Sequence, residues 1–279
     1  MLKRIFALAL VLMLSVCGLA EVASGDATVE AVDVVEEGMT PISGDQIRDG
    51  VYPIIVNSSS SMFNVVACTL TVQDGAMIAT MTMSGTGYLK VFMGTGEEAL
   101  NAAEEDCISY EEDADGAHSF TVPVPALDAP VDCAAFSKRK EMWYERQLLF
   151  RADSLPLDAF DERALTTVSA LGLADGQYTV EAQLVGDAGK ASVESPAQLR
   201  VENGEAFVTV VWGSGKYADM RVDGELVPAV ETDGNAAFEM PVRCFDWNLG
   251  VTVDSTALGK PVEMSYAIRF KSATIQPAD

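Results

Sequence analysis

The sequence CTLTVQDGAMIATMTM, residues 68–83, decides the fold of the first half of the chain. Threonines alternate with Leu70 and Val72, and a period of two is typical of a strand that buries one face. Asp74-Gly75 follows at once, and Asp-Gly between alternating runs is a strong short-range signal for a hairpin. The stretch therefore predicts two antiparallel strands joined by a tight turn.

The same pattern returns in AQLRVENGEAFVTVVW, residues 197–212, with Asn203-Gly204 at the position of the turn. A pattern that recurs at a fixed order of landmarks indicates a duplicated unit. The other landmarks pair as follows: Asp49-Gly50-Val51-Tyr52 with Asp175-Gly176-Gln177-Tyr178, Tyr88 with Tyr217, FTVPVPALD (120–128) with FEMPVRCFD (238–246), and YERQLLF (144–150) with YAIRF (266–270).

Each unit contains roughly seven or eight short alternating runs in about 100 residues, which are the strand number and length typical of an immunoglobulin-like sandwich. We therefore predict an all-β protein with two tandem immunoglobulin-like antiparallel β-sandwich domains, at residues 47–152 and 173–276. Helical periodicity is confined to GEEALNAAEED (96–106) and LPLDAFDERALTTVSAL (155–171). These segments predict short surface helices, the second of them within an interdomain linker at 153–172.

Residues 1–20 have the three regions of a secretory signal peptide: Lys3 and Arg4, an apolar run, and small residues that end at Ala20. A lipoprotein variant would acylate Cys17, but it requires a small residue just before the cysteine, and Val16 is not small. Residues 21–46 are acidic and lack aromatic residues, which predicts a flexible linker. We expect a secreted or cell-surface protein.

The charge balance excludes several partners. The chain has 42 Asp and Glu against 18 Lys and Arg, a net charge of −24. Nucleic acid and anionic membranes would be repelled, and an acidic surface that keeps the protein soluble is the plain interpretation. The exported chain has no further apolar run of spanning length, so we predict no transmembrane helix in it.

Catalytic and metal motifs are weak, and we predict that the protein is not an enzyme. His118 is the only histidine, and no sequence motif places a base beside the serines at 58–61. The acidic run EEDADG (111–116) resembles the start of a calcium loop, but Val122 stands where the closing glutamate is needed. Four cysteines follow the signal peptide, and their pairing cannot be deduced from sequence.

Basic and aromatic residues are concentrated in SKRKEMWYERQLLF, residues 137–150. Strand alternation places Trp143 and Tyr144 on opposite faces. Lys140 and Arg146 lie close to them in an otherwise acidic protein, a combination that suits an anionic ligand with an apolar body. A charged edge hairpin that resists strand addition explains the same residues.

A second unusual stretch is NSSSSMF, residues 57–63, a polar run that ends in Met62 and Phe63. Large apolar side chains after four serines predict the lip of a pocket. A plain connecting loop with a hydrophobic anchor in the core remains the alternative.

Together these features resemble the near-iron-transporter (NEAT) domains, haem-binding immunoglobulin-like modules of Gram-positive surface proteins. The resemblance rests on DGVYPIIV (49–56), DGQYTVEAQL (175–184), SPAQLRVENGEAFVTVVW (195–212) and the two closing strands. It covers roughly residues 47–152 and 173–275. It implies a β-sandwich fold, a role in iron acquisition and haem as the ligand.

Carried over by motif, the resemblance implies that Ser60, Met62 and Phe63 form the lip over a porphyrin. The family's iron ligand is the first tyrosine of a Tyr-x-x-x-Tyr pair, and here Lys140 occupies that place and Tyr144 the second. A protonated lysine cannot bind iron, which leaves Tyr144 as the candidate haem ligand. The second unit has no Ser-x-Met lip, and Met264 stands where Tyr144 stands, so we expect it to be a structural or partner-binding copy.

Two functions follow as expectations. The first is a secreted or surface-associated binding protein that captures haem or porphyrin in the first sandwich through Trp143, Tyr144, Lys140, Arg146 and the lip. The second is a non-catalytic adhesion or interaction module that binds other surface proteins and has lost haem ligation.

Overall fold

The computed structural model describes residues 22–23, 34–36, 39–113, 115–186, 189–257 and 259–278. The predicted signal peptide, Cys17 and half of the predicted acidic linker lie outside these ranges. Among the described residues, no helix has the length and apolar character that crossing a membrane requires.

The first half of the described chain forms the following strands: β1 (Val22–Ala23), β2 (Gly50–Pro53), β3 (Val56–Ser58), β4 (Val65–Gln73), β5 (Ala76–Met83), β6 (Tyr88–Phe92), β7 (Ile108–Ser109), β8 (Glu111–Glu112), β9 (His118–Pro123), β10 (Pro130–Ser137) and β11 (Trp143–Phe150). They assemble into sheet 1A, with the order β2-β4-β5-β9-β8, and sheet 1B, with the order β3-β11-β10-β6-β7. The pairings are antiparallel except for β1, which adds to β11 in parallel.

The second half contributes these strands: β12 (Gly176–Val180), β13 (Ala182–Val185), β14 (Ala197–Glu202), β15 (Glu205–Val211), β16 (Tyr217–Val222), β17 (Glu225–Leu226), β18 (Ala229–Val230), β19 (Ala237–Val242), β20 (Leu249–Ser255), β21 (Val262–Phe270) and β22 (Gln276–Pro277). Sheet 2A has the order β22-β12-β14-β15-β19-β18, and sheet 2B has the order β13-β21-β20-β16-β17. Apart from the short strands β1 and β22, the two halves repeat one strand order.

The predicted hairpins are confirmed at their turns. Asp74 and Gly75 both have positive φ, at 50° and 77°, and Asn203 and Gly204 follow with 53° and 78°. Positive φ at both central residues is the geometry of a two-residue type I′ hairpin. The turns join β4 to β5 and β14 to β15 in register.

The repeated Asp-Gly-x-Tyr landmark has the same structural role in both halves. The Tyr52 hydroxyl donates to the Arg48 carbonyl, and the Tyr178 hydroxyl donates to the Ala174 carbonyl, each at 2.9 Å. The preceding aspartates accept hydrogen bonds from backbone N–H groups of the hairpin turns at Asp74 and at Asn203. The landmark therefore fixes the entry of each sandwich against its first hairpin.

Each pair of sheets encloses a core built from inward-facing residues of alternate strand positions. In the first half, Leu70 and Phe120 come from sheet 1A, while Val91, Leu148 and Phe150 come from sheet 1B, and all five are fully buried. This burial of one face per sheet is the arrangement of an immunoglobulin-like sandwich.

The acidic linker predicted at 21–46 extends too far. Val34 and Ile42 are buried, Ile42 forms a bridge with Leu127, and Gly44–Gln46 is a 3₁₀ turn. Residues just before 47 are thus part of the packed structure, because apolar side chains spaced among the acidic ones reach the core.

The short surface helix predicted within 155–171 is confined to the end of that segment. The segment forms 3₁₀ turns at Leu157–Ala159 and Glu162–Ala164, and only Val168–Leu171 (α2) is α-helical. Leu155 and Phe160 are buried. The connection is therefore packed, and the ring of Phe160 meets that of Trp247 edge-on at 5.1 Å, so the two halves are in contact.

Helix α1 (Gly96–Asn101) confirms the first helical prediction. Its N-cap is a capping box: Thr95 Oγ1 accepts from Glu98 N–H, and the Glu98 carboxylate accepts from Thr95 N–H. The spacing Thr-x-x-Glu was visible in the sequence.

Candidate functional site

Strand β11 presents two unlike faces at the end of the first sandwich. Leu148 and Phe150 point into the core between the sheets, and strand alternation places Tyr144 and Arg146 on that same inner face. Tyr144 is half-buried, and the Arg146 guanidinium lies 5.1 Å from the centre of its ring. The inner face thus changes from apolar to polar toward the start of the strand.

The serine-rich loop docks directly on β11. The Ser59 N–H donates to the Gln147 carbonyl, and the Gln147 N–H donates to Ser59 Oγ, both at 2.9 Å. The loop then turns, since the Phe63 N–H donates to the Ser60 carbonyl and the Met62 N–H to Ser60 Oγ. The loop and the β11 residues predicted for binding therefore lie at the same end of the sandwich.

Met62 and Phe63 have opposite roles. Met62 is 64% exposed, so its side chain is available at the surface. Phe63 is fully buried, with its ring 5.1 Å from Tyr88 and 6.5 Å from Phe120. In this structure the ring of Phe63 anchors the loop in the core, as in the alternative interpretation of this stretch, and Met62 is the exposed apolar residue of the lip.

Trp143 is also excluded from the inner face. It lies on the outer face of β11, buried beneath α1 with Ala99 and Ala134, and its ring meets Phe136 edge-on at 5.2 Å. The Lys90 ammonium stands 5.5 Å from its ring centre. Trp143 therefore belongs to a small second core, and Tyr144 is the aromatic residue that faces the candidate site.

The four basic residues of the stretch 137–150, among them the predicted site residues Lys140 and Arg146, separate into two groups. Lys140 lies with Lys138 and Arg139 in the exposed turn between β10 and β11. Arg146 is 8% exposed and donates to the Glu145 carbonyl at 2.7 Å and to the Tyr88 hydroxyl at 3.3 Å. Only Arg146 contributes a cation to the inner face.

Sequence reasoning missed a histidine and two tyrosines at this end. His118, which the sequence left without a role, is 4% exposed and begins β9. Its ring stacks on Tyr110 at 3.8 Å, and its Nδ1 lies 3.2 Å from the Tyr88 carbonyl oxygen. The alternation of His118 with Phe120 and Val122 could have revealed its inward direction.

The equivalent end of the second sandwich is filled by aromatic side chains. Trp212 is fully buried, with Tyr217 and Tyr266 at 4.7 and 5.2 Å from its ring. Counting back from the closing phenylalanines, Tyr266 stands in the place of Arg146 and Met264 in the place of Tyr144. The polar character of this end is therefore specific to the first sandwich.

The cysteines that the structure describes are free thiols. Burial raises the pKa of Cys68, Cys133 and Cys244 to about 12. Cys107 is half-buried beside α1. No group of three or more His, Cys, Asp or Glu residues in the described part of the chain is arranged to hold a metal ion.

Comparison with known proteins gives structural likeness alone. No protein-family model matches the sequence, and no curated protein matches it significantly. A solved structure of the NEAT5 domain of IsdX2, a B. anthracis hemophore, in complex with heme shares 18% identity, covers 35% of this chain and 97% of that chain, and gives a TM-score of 0.30. A mutant of the same domain, also in complex with heme, shares 18% identity, covers 36% and 97% of the two chains, and gives a TM-score of 0.31.

Proposed function

We propose that the first sandwich binds haem or a related porphyrin between the loop at 57–62 and the inner face of β11. The protein would then serve as a secreted or surface-associated binding protein in iron acquisition. The observation that carries the proposal is the pair of hydrogen bonds between Ser59 and Gln147, which places the loop alongside the strand that bears Tyr144 and Arg146.

The side chains at this end suit a flat aromatic ligand. Met62 supplies an exposed, flexible apolar surface, and Tyr144 supplies an aromatic ring on the inner face. A phenol oxygen is a hard donor that suits ferric iron, whereas the ammonium of Lys140 has no lone pair to offer. We therefore assign the role of candidate iron ligand to Tyr144 and leave Lys140 as an exposed cation.

We propose that the first sandwich binds its ligand and does not catalyse a reaction on it. His118 is enclosed by Tyr110 and by the backbone of β6, so it is placed as a packed residue and not as a base beside a nucleophile. The second sandwich, with its end filled by Trp212, is proposed to be a structural or partner-binding copy.

A hemin titration of the purified exported protein tests the proposal. We expect a saturable shift of the Soret band, and we expect Tyr144→Phe and Met62→Ala each to weaken binding by about 10-fold, which is ~1.4 kcal/mol. Met264→Ala is the matched control, because this methionine is also exposed but lies on β21 of the second sandwich. The control should bind hemin as the unmodified protein does.

A titration without a saturable spectral change would overturn the haem proposal. Equal weakening by Met264→Ala would also contradict it, since the effect would then not come from the first sandwich.

A specific observation favours the second candidate, an interaction module. The outer face of sheet 1A carries no charged residue on β2, β4, β5 and β9, although the protein is strongly acidic. Its outward residues are Val51, Pro53, Ala67, Thr69, Thr71, Gln73, Ala76, Ile78, Thr80, Thr82, Ser119, Thr121 and Pro123.

The same face of sheet 2A is charged. Arg200 pairs with Glu239 at 3.0 Å and with Glu202, and its guanidinium covers the ring of Phe207 at 4.5 Å. Glu111 on the edge strand β8 lies opposite Ser119 at the margin of this face of sheet 1A. The uncharged area over the other four strands is a suitable surface for another protein, because a partner can approach it without desolvating charges.

If this candidate is right, the immobilised protein retains a partner protein in a pull-down. We expect the substitution Ile78→Glu to abolish that retention and to leave hemin binding unchanged. Recovery that survives the substitution would exclude this face.

A further inference from the structure

Arg146 is a buried cation without an acidic partner. Its two printed hydrogen bonds go to neutral oxygens, the Glu145 carbonyl and the Tyr88 hydroxyl. The remaining nitrogen, Nε, is buried and has no hydrogen-bond partner. A guanidinium that is 8% exposed and lacks a counter-charge has an unfavourable environment, because burial removes the water that would solvate it.

Other part-buried arginines of this protein do have acidic partners. Arg151 pairs with Glu36 and Asp153, both at 2.6 Å, and Arg221 pairs with Asp254 at 3.1 Å. The chain contains 42 acidic residues, yet in the described part of it none forms an ion pair with Arg146. Arg146 therefore differs from Arg151 and Arg221, each of which has an acidic side chain against its guanidinium.

The fold itself does not require a cation here. The second sandwich has the same strand order and places Tyr266 at the corresponding position, where it packs on Trp212. At this position of the closing strand, a buried guanidinium is found only in the sandwich with the serine-rich loop.

We propose that Arg146 is a receptor for a carboxylate group of the ligand, so that the first sandwich selects porphyrins with free carboxylates over their neutral esters. This inference rests on the proposed function and adds the chemical class of the ligand. Guanidinium binds carboxylate through two parallel N–H···O bonds, and the unpartnered Nε–H supplies one of the donors that such a pair needs. Tyr144, which covers the guanidinium, would direct the acid group of a stacked ligand toward it.

Hemin and hemin dimethyl ester, titrated against the full exported chain, test this inference. The two probes share the macrocycle and the iron and differ only in the free carboxylates. We expect the ester to bind about 10- to 100-fold more weakly, the range expected for a hydrogen bond to a charged group that is lost. Arg146→Gln should remove most of this difference by weakening hemin and leaving the ester almost unchanged.

Arg139→Gln is the matched control, because it removes an exposed arginine from the turn that leads into β11. It should keep the full preference for hemin over the ester. Arg146→Tyr copies the second sandwich and provides a second test if the glutamine variant does not fold.

The outcomes are distinguishable. If hemin and its ester bind with equal affinity, the carboxylate receptor is excluded and the haem-binding function stands. If Arg146→Gln weakens both probes equally, Arg146 supports the shape of the site and the inference is wrong. If neither probe binds, the proposed function itself fails.

Discussion

Two equivalent aspartates show how one residue type serves two environments. Asp128 and Asp246 have φ of 52° and 56°, and each accepts a hydrogen bond from the residue that begins the 3₁₀ turn after the closing strand. Asp246 accepts from both the N–H and the hydroxyl of Ser272, whereas Asp128 accepts from the Ala152 N–H alone. Burial, with a further contribution from Asp153, raises the pKa of Asp128 to about 6.

This pKa gives a prediction for Asp128→Asn. The ordinary pKa of an aspartate in the unfolded chain is about 3.9, so between pH 4 and 6 the folded state holds a proton that the unfolded state has released. The contribution of Asp128 to the free energy of unfolding therefore falls as pH rises through this window. Asparagine keeps the acceptor oxygen and tolerates positive φ, so we expect it to raise the free energy of unfolding by about 2 kcal/mol at pH 7 and to change it little at pH 4.

Urea unfolding of the two proteins at both pH values measures this difference. Asp246→Asn is the control and should destabilise the protein by about 1 kcal/mol, since its two bonds from Ser272 need two acceptor oxygens. A gain from Asp128→Asn that is equal at pH 4 and pH 7 would show that the carboxylate does not titrate as described.

At the scale of elements, helix α1 and the outer face of strand β11 enclose a small second core that is separate from the main core. Trp143→Ala should cost about 3 kcal/mol, because it removes a buried indole between Ala99, Ala134 and Phe136 and leaves a cavity. We expect hemin binding at temperatures where the variant is folded to be unchanged, since Trp143 lies on the face of β11 opposite Tyr144.

Chemical unfolding and hemin titration measure the two effects separately. Leu100→Ala, on the exposed side of α1, should change stability by less than about 0.5 kcal/mol. If a folded Trp143→Ala protein did not bind hemin, Trp143 would have to be part of the binding site.

Local signals predicted the elements that depend on neighbouring residues. Asp74-Gly75 and Asn203-Gly204 predicted the hairpins, and Thr95 with Glu98 marks a capped helix, because each signal acts within a few residues. Contacts between distant segments were not predictable in this way. Alternation gives β11 two faces, but it does not show that a helix about 45 residues earlier in the chain covers Trp143, or that Phe63 reaches the core while Met62 remains exposed.

A related reason explains why the linker is α-helical only at Val168–Leu171. Its apolar residues suggested a helix, but Pro156 and the buried Phe160 favour short 3₁₀ turns that follow the surface of both halves. Secondary structure in this segment is set by tertiary packing, which periodicity does not report.

At the scale of the whole molecule, a buried polar network joins the two halves. Arg151 forms ion pairs with both Glu36 and Asp153. Asn248, the residue before β20, donates to the Asp153 carboxylate at 2.6 Å and accepts from Arg269 Nε at 2.9 Å. Burial is the largest single influence on Glu36 and opposes its charge, but the hydrogen bonds from Arg151 and Asn248 and the charges of Arg151 and Arg269 together hold the pKa of that carboxyl below its usual value. The network lies close to the contact of Phe160 with Trp247, so polar and aromatic contacts together hold the halves against each other.

Asn248→Ala tests whether this junction couples the unfolding of the two sandwiches. The substitution removes one donor to Asp153 and one acceptor for Arg269 in a buried setting, so we expect a loss of about 2–3 kcal/mol. Differential scanning calorimetry should show one cooperative transition for the unmodified protein and two for the variant, because each half keeps its own core. Asn235→Ala, which removes an exposed amide that contacts Glu194, is the control and should retain the single transition. A variant that unfolds in one transition at an unchanged temperature would mean that Asn248 does not couple the halves, and that the aromatic contact and the packed linker are sufficient to join them.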